Sequence, residues 1–295
     1  MDCYKTKNSD RIYKISFDNY EKDPGFDEPY FVNDTCYALC PACDNPIQIC
    51  ALYKKKENSP KPYGRHTGKD IKDFAPFDSQ KYDFCPYASH RKGYNNYDEL
   101  IKDDIDQSTI EALELLRDNF DKVIYLVKKE SGIKISNNFA KEMLVSFLGN
   151  GNENAGYLFY YFNKTNFPYL FAYRCKDFSL RGRYINTEAP LYNILKERNV
   201  KFSKDGQYLV SFAENPQSYV FSFIHYKIET IEGDIHETVK FCIFDKQRNI
   251  IFERKIIIDL AYINNLIKME NFKRNEELLN VAKELINERL EILQA

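Results

Sequence analysis

The segment of this chain best suited to chemistry is Cys40-Pro41-Ala42-Cys43. A Cys-Pro-x-Cys turn sets two thiolates on one side of a tight bend, where one tetrahedral ion can accept both. Cys85, in Cys85-Pro86, and His66, in Gly64-Arg65-His66-Thr67, can complete a set of three sulfurs and one nitrogen. The expectation is a structural zinc held by Cys40, Cys43, His66 and Cys85, a cofactor that orders the fold and carries no reaction. His90 competes with His66, because Cys85-x4-His90 is also an acceptable second half. Cys36 and Cys50 lie nearby, and Cys50, on an expected strand, reads as a small buried hydrophobe.

The chain has eight cysteines, which also raises the question of disulfides. The opening Met1-Asp2-Cys3-Tyr4-Lys5 has no apolar run, so no signal peptide is expected. No stretch has the length and apolarity of a membrane span. The expected compartment is the cytoplasm of a bacterial or phage-infected cell, where clustered thiols favour metal over disulfides. Abundant Tyr, Lys, Asn, Ile and Asp fits an AT-rich genome.

Net charge is −2, so no global field draws the chain to nucleic acid or to a membrane. Residues 1–98 carry 15 Lys/Arg and 15 Asp/Glu, so the cysteine-rich part is neutral as well. A zinc module that grips a phosphate backbone carries a basic surplus. Lys54-Lys55-Lys56 and Arg91-Lys92 read as solvated loops.

The chain carries none of the common catalytic patterns. There is no phosphate-cradling Gly-x-x-x-x-Gly-Lys-Ser/Thr loop, no Gly-x-Gly-x-x-Gly turn, no Gly-x-Ser-x-Gly elbow and no His-Glu-x-x-His pair. Asp245, Glu253 and Lys255 lie around one expected hairpin and loosely match the acidic set of a metal-dependent nuclease. Hairpins commonly carry such charges on their wet face. His225 and His236 fall on neighbouring expected strands and read as a cross-strand polar pair.

The elements that must position these residues follow from hydrophobic period. Residues 1–98 form a cysteine-rich, zinc-ribbon-like domain: Arg11 to Phe17 alternates as a short strand, and Ile47 to Tyr53 reads as a strand leaving the knuckle. With little apolar core of its own, this part needs a staple. Residues 99–150 form a helical connector. Ser108-Thr109-Ile110-Glu111 resembles a capping box, followed by Ile110, Leu113, Leu115, Leu116, Phe120 and Val123 at helical spacing. A second helix spans Asn138 to Leu148 and stops at Gly149-Asn150-Gly151. Residues 151–295 form an antiparallel sheet with terminal helices. Strands are expected at Tyr157 to Phe162, Tyr169 to Arg174, Gln207 to Ala213, Tyr219 to Thr230, His236 to Phe244 and Ile250 to Ile258, with a short helix at Ala189 to Asn199. Leu278, Leu279, Ala282, Leu285, Ile286, Leu290 and Leu293 make an apolar stripe on a C-terminal amphipathic helix. That stripe suits either a docking surface or the chain's own core. The expected class is α+β.

A Cys-Pro-x-Cys knuckle, a strand, an Arg-His element and then Cys-Pro is similar to the N-terminal region of competence-protein CoiA-like chains. The matching elements are Cys40-Pro41-Ala42-Cys43, Arg65-His66 and Cys85-Pro86, within residues 36–90. The His-Phe-x-His element of that family is absent, since Thr67 follows His66, and the family's nuclease-like core has no counterpart. The resemblance therefore implies the metal site alone. In size, composition and lack of catalytic motifs, the whole chain resembles phage anti-defence proteins, such as those that block the bacterial Gabija complex. That resemblance implies a non-catalytic inhibitor that occupies a large surface of a protein complex, as a homo-oligomer. Many aromatics, 23 Tyr and 22 Phe, suit such a surface. The alternatives are a zinc-containing nucleic-acid-binding protein or nuclease accessory and, behind it, a metal-dependent enzyme.

Overall fold

The computed structural model describes residues 1–53, 61–89, 99–149, 155–197, 200, 202 and 219–294. Among them the chain is a mixture of helices and antiparallel sheet, an α+β fold. It divides into two compact units: Met1–Asn96, Lys227–Glu237 and Ile258–Glu270 make unit 1, and Tyr97–Tyr226, Thr238–Ile257 and Asn271–Ala295 make unit 2. No helix of the described residues is long and apolar enough to cross a membrane. The expected strand at Gln207 to Ala213, the two lysine- and arginine-rich loops and His90 lie outside the described residues.

Unit 1 begins with β1 (Cys3–Thr6), β2 (Ser9–Lys14), α1 (Phe17–Lys22), β3 (Phe31–Val32), β4 (Thr35–Leu39), β5 (Pro46–Cys50), β6 (Tyr63–His66) and α2 (Ser79–Asp83). The strands form one antiparallel sheet in the order β2-β1-β4-β5-β6, with β3 on β4. The alternation expected to run to Phe17 stops at Lys14, because the Ser16 hydroxyl accepts the Asn19 N–H and starts α1. The β4–β5 hairpin pairs Cys36 with Ile49, Ala38 with Ile47 and Leu39 with Pro46, so the Cys-Pro-x-Cys segment is the hairpin turn itself. Strand β6 then lies on β5 with His66 opposite Ile47. Gly64 permits this approach: a Cβ there would sit 2.9 Å from Ile47 Cδ1 and 3.2 Å from Met1 Cγ.

Unit 2 contains α3 (Gln107–Asp118), α4 (Phe120–Ser131), β7 (Ile133–Lys134), α5 (Asn137–Leu148), α6 (Phe167–Tyr173), β8 (Phe178–Ser179), β9 (Tyr184–Ile185) and α7 (Pro190–Glu197). The long hairpin strands β10 (Val220–Ile231), β11 (Asp234–Phe244) and β12 (Ile250–Ile257) follow in the order β12-β11-β10-β8, with Lys227–Glu237 counted in unit 1. The cap of α3 is Asp106 rather than Ser108, since the Asp106 carboxylate accepts both the N–H and the hydroxyl of Thr109. One stripe read from Ile110 to Val123 is in fact two helices that break at Asn119. Two expected strands are absent. Gly156–Leu158 is a 3-10 turn, leaving Phe159 only a bridge to Ile101. Tyr169 to Tyr173 belongs to α6, whose seven residues are all buried, and Arg174 is its C-cap. A helix buried on every side has no polar face, so its period is invisible in sequence. Its rings pack edge-on within the core, with Phe120 and Phe171 at 5.5 Å and 87°.

Two helices close the chain. The first, α8 (Leu260–Lys268), belongs to unit 1 and packs on β2. Its Asn264 side chain donates to Asp10 O (2.8 Å) and accepts from Ile12 N–H, covering the free edge of β2 as a strand would. The second, α9 (Glu276–Gln294), belongs to unit 2 and packs on α3, α4 and α5. Leu278, Leu279, Ala282, Ile286 and Leu290 are all buried there. The stripe is therefore core of its own unit. The buried Asp121 carboxylate pins the start of α9, accepting from Arg274 Nε (2.8 Å) and Asn275 N–H (3.0 Å).

Candidate metal centre

Four side chains converge at one end of the unit 1 sheet. Cys40 follows the last residue of β4, and Cys43 sits in the turn before β5. The turn closes by Cys40 N–H to Asn45 O (2.9 Å) and Asp44 N–H to Cys40 O (2.9 Å), with Asp44 in the left-handed region at φ 61°. His66 ends β6, one strand over. Cys85 comes from a distant loop, placed by α2 and by its own N–H bonded to Tyr82 O (3.0 Å).

Three of the six separations fit a tetrahedral coordination shell. Cys43 Sγ lies 3.3 Å from His66 Nε2, Cys85 Sγ lies 3.7 Å from the same nitrogen, and Cys40 Sγ lies 3.7 Å from Cys85 Sγ. All four ligand atoms fall within 4.8 Å of one another, so Cys40, Cys43, His66 and Cys85 can hold a metal ion. The three cysteines are buried and His66 is half-buried against the edge of the Tyr82 ring at 5.0 Å. None of the three forms a disulfide.

Electrostatics within the cluster are uneven. Burial pushes the Cys40 and Cys85 thiols well above their ordinary value. Burial acts the same way on Cys43, but hydrogen bonds with Cys40, Cys85 and His66 outweigh it and hold Cys43 well below. Three thiols around one imidazole therefore favour a single thiolate. A divalent cation bound there would supply the counter-charge that lets the other two ionise.

The remaining sequence candidates do not join this group. Cys36, buried on β4, lies among the Tyr20 and Tyr53 side chains. Cys50 stands opposite Tyr63. Asp245 is a turn residue: its carboxylate accepts from the Gln247 and Asn249 N–H groups (2.9 and 2.8 Å) and from Asn249 Nδ2 (3.0 Å). Glu253 pairs with Lys240 across the strands at 3.0 Å, and Lys255 faces Lys240 in register. His225 is exposed with φ 55° on β10, and His236 is half-buried on β11. Among the described residues, neither belongs to a group of metal-ligating side chains.

Sequence reasoning missed Asn45. Its carboxamide is 1% exposed, donates to Cys43 Sγ (3.4 Å) and to Asp78 O (2.9 Å), and accepts the Asp78 N–H (2.6 Å). A single asparagine two residues after a cysteine carries no pattern that would reveal this.

No protein-family model matches the chain, and neither a curated protein nor a solved structure matches it.

Proposed function

We propose that this chain is a non-catalytic, protein-binding inhibitor whose N-terminal zinc-ribbon-like region is ordered by a structural zinc on Cys40, Cys43, His66 and Cys85. One observation carries the zinc reading. A tetrahedron with Zn–S near 2.3 Å and Zn–N near 2.0–2.1 Å has edges of about 3.8 Å between sulfurs and about 3.6 Å between sulfur and nitrogen. Three of the six edges here are 3.7 Å between the Cys40 and Cys85 sulfurs and 3.3 and 3.7 Å from His66 Nε2 to the Cys43 and Cys85 sulfurs, and the other three lie within 4.8 Å. Four protein ligands leave no open position, and a closed site favours a structural metal over a catalytic one.

The binding reading draws on three features. Net charge is −2, which disfavours a phosphate-gripping surface. The acidic and histidine candidates for catalysis are engaged in turns and strand pairing or stand outside the cluster. Unit 1 also presents a group of rings, Phe17, Phe26 and Tyr53, at centroid distances of 5.4 to 5.9 Å. Phe17 and Tyr53 are 38% and 52% exposed, and aromatic residues are enriched where proteins bind proteins. The resemblance to phage anti-defence proteins supplies the class of target, a bacterial defence complex in the cytoplasm, met by a homo-oligomer of this chain.

Native mass spectrometry of the purified chain, alone and mixed with a purified Gabija complex, tests both parts. One zinc per chain and a stable assembly with the complex is the expected result. Salt-dependent DNA binding without such an assembly would overturn the inhibitor reading in favour of nucleic-acid binding. A metal-free folded chain would overturn the zinc reading.

A further inference from the structure

We infer that Asn45 is the positioning residue of the metal centre: one buried carboxamide both locks the Cys85-bearing loop to the knuckle and supplies an N–H to the Cys43 sulfur. The inference rests on the metal reading above and assigns a role to a residue outside the ligand set.

The geometry fixes the amide's orientation without choice. Asp78 presents its backbone N–H to one end of the Asn45 side chain and its carbonyl to the other. Only an oxygen accepts the first, and only the amide nitrogen can donate to the second. The second amide hydrogen then has one partner, Cys43 Sγ at 3.4 Å. Every donor and acceptor of a side chain 1% exposed is thereby used. Asp78 is also the N-cap of α2, its carboxylate accepting the Lys81 N–H, and Cys85 follows that short helix. The main chain of Asn45 meanwhile closes the knuckle through its carbonyl to Cys40 N–H. One residue thus touches Cys40 and Cys43 on one side and, on the other, Asp78 at the start of the segment that leads to Cys85.

The charge balance gives the sulfur contact its purpose. Three thiolates and a neutral imidazole around a divalent ion leave net negative charge in a buried site. An N–H aimed at a thiolate spreads that charge and orients the sulfur lone pair. Mutating an outer partner of this kind typically costs about 10–100-fold in metal affinity.

Cobalt(II) titration of the full chain, followed by its thiolate-to-cobalt absorption, tests this with the variants Asn45→Asp and Asn45→Ala. Asn45→Asp keeps the acceptor for the Asp78 N–H and turns an oxygen toward Cys43 Sγ and Asp78 O. Asn45→Ala removes both contacts without adding charge. The expected result is a wild type that takes one cobalt, with both variants binding about 10–100-fold more weakly. In both, the charge-transfer band should also shift at saturating cobalt, with the chain folded by circular dichroism. A purely structural residue would change stability and leave that band in place. Wild-type affinity and an unshifted band in both variants would overturn the role of Asn45 and leave the metal reading standing. A variant unfolded even at saturating cobalt would make Asn45 a folding residue, and overturns the inference too. A wild type that binds no cobalt or zinc would overturn the metal reading itself.

Discussion

Cys40 and Cys85 are 45 positions apart in the chain, yet their sulfurs lie 3.7 Å apart in the folded protein. Between them run two strands and a short helix, so whatever holds these two atoms together holds most of the small sheet's loops. A structural metal contributes folding free energy directly, on the order of 10 kcal/mol in small zinc modules. Replacing Cys43 or Cys85 by Ser should remove several kcal/mol of that. Limited proteolysis, read by mass, should then cut within residues 36–89 and spare unit 2. An unchanged cleavage pattern in Cys43→Ser would refute the staple.

Metal affinity should rise with pH. Burial raises the Cys40 and Cys85 thiols, so each gives up a proton on ligation. Proton release on binding means that binding strengthens as protons become scarce. Competition with a chromophoric chelator at about pH 6 and about pH 8 should show weaker retention at the lower value. Equal retention would mean that the thiols are not the ligands.

Lys102 and Asp106 make a pair at 2.8 Å beneath the start of α3, with the lysine also donating to Thr109 Oγ1 at 2.7 Å. Burial pushes the Asp106 carboxyl up, but Lys102 and the Thr109 donors outweigh it and hold it below the usual range. Its folded value is thus depressed: its stabilisation is present above the unfolded value of about 3.9 and is lost as pH falls through the folded value. Burial lowers Lys102, so its charge carries a cost at neutral pH that fades as pH rises toward about 10.4. Asp106→Asn keeps a good cap but removes the carboxylate charge that faces the buried lysine, and should cost about 3 kcal/mol at neutral pH by urea denaturation. The difference from wild type should shrink in acid.

Gly156 has no room for a side chain. A Cβ there would stand 2.3 Å from Phe147 Cδ2 and 2.7 Å from Arg174 Cβ. Gly156→Ala should therefore destabilise unit 2 by about 1–3 kcal/mol through overpacking. Phe147→Ala should cost about 3–5 kcal/mol through the opposite fault, a cavity. Thermal melts of the two single variants and the pair would show coupling if the contact is the cause, since the smaller ring position admits the new methyl.

The Arg274–Asp121 pair predicts a local effect at α9. Asp121's side chain is 2% exposed and its partner 36% exposed. Arg274→Met leaves a carboxylate buried against fewer donors, and should cost about 3 kcal/mol. Hydrogen exchange should quicken first at Glu276 to Leu279, and uniform exchange along the helix would count against an anchoring role.

What could be read in the sequence divides along physical lines. The β10–β11–β12 meander is legible because its strands alternate and its turns at Glu232-Gly233-Asp234 and Asp245 to Asn249 are punctuated by turn formers. The four-residue cluster is legible because the Cys-Pro-x-Cys spacing is the one a tetrahedral ion's geometry would need. Helix α6 is not, because an apolar run buried on all sides has no period to betray it. The break at Asn119 is equally hidden, since two helices packed in one core share a continuous apolar stripe. Asn45 is invisible for another reason: its partners are the backbone of Asp78 and one sulfur, and backbone groups leave no trace in residue type.

The asparagine of α8 that covers the β2 edge lies 252 residues downstream of the strand it protects. On a ribosome adding about 5–20 residues per second, that edge waits on the order of 10 to 50 seconds for its cover. The knuckle, in contrast, has all four of its ligands outside the exit tunnel as soon as Cys85 emerges. On the proposed zinc reading, newly made chains carry a complete ligand set beside an open strand edge, and ion supply during translation should bear on yield. An expression culture starved of zinc should lose this protein to aggregation before the polypeptide is finished.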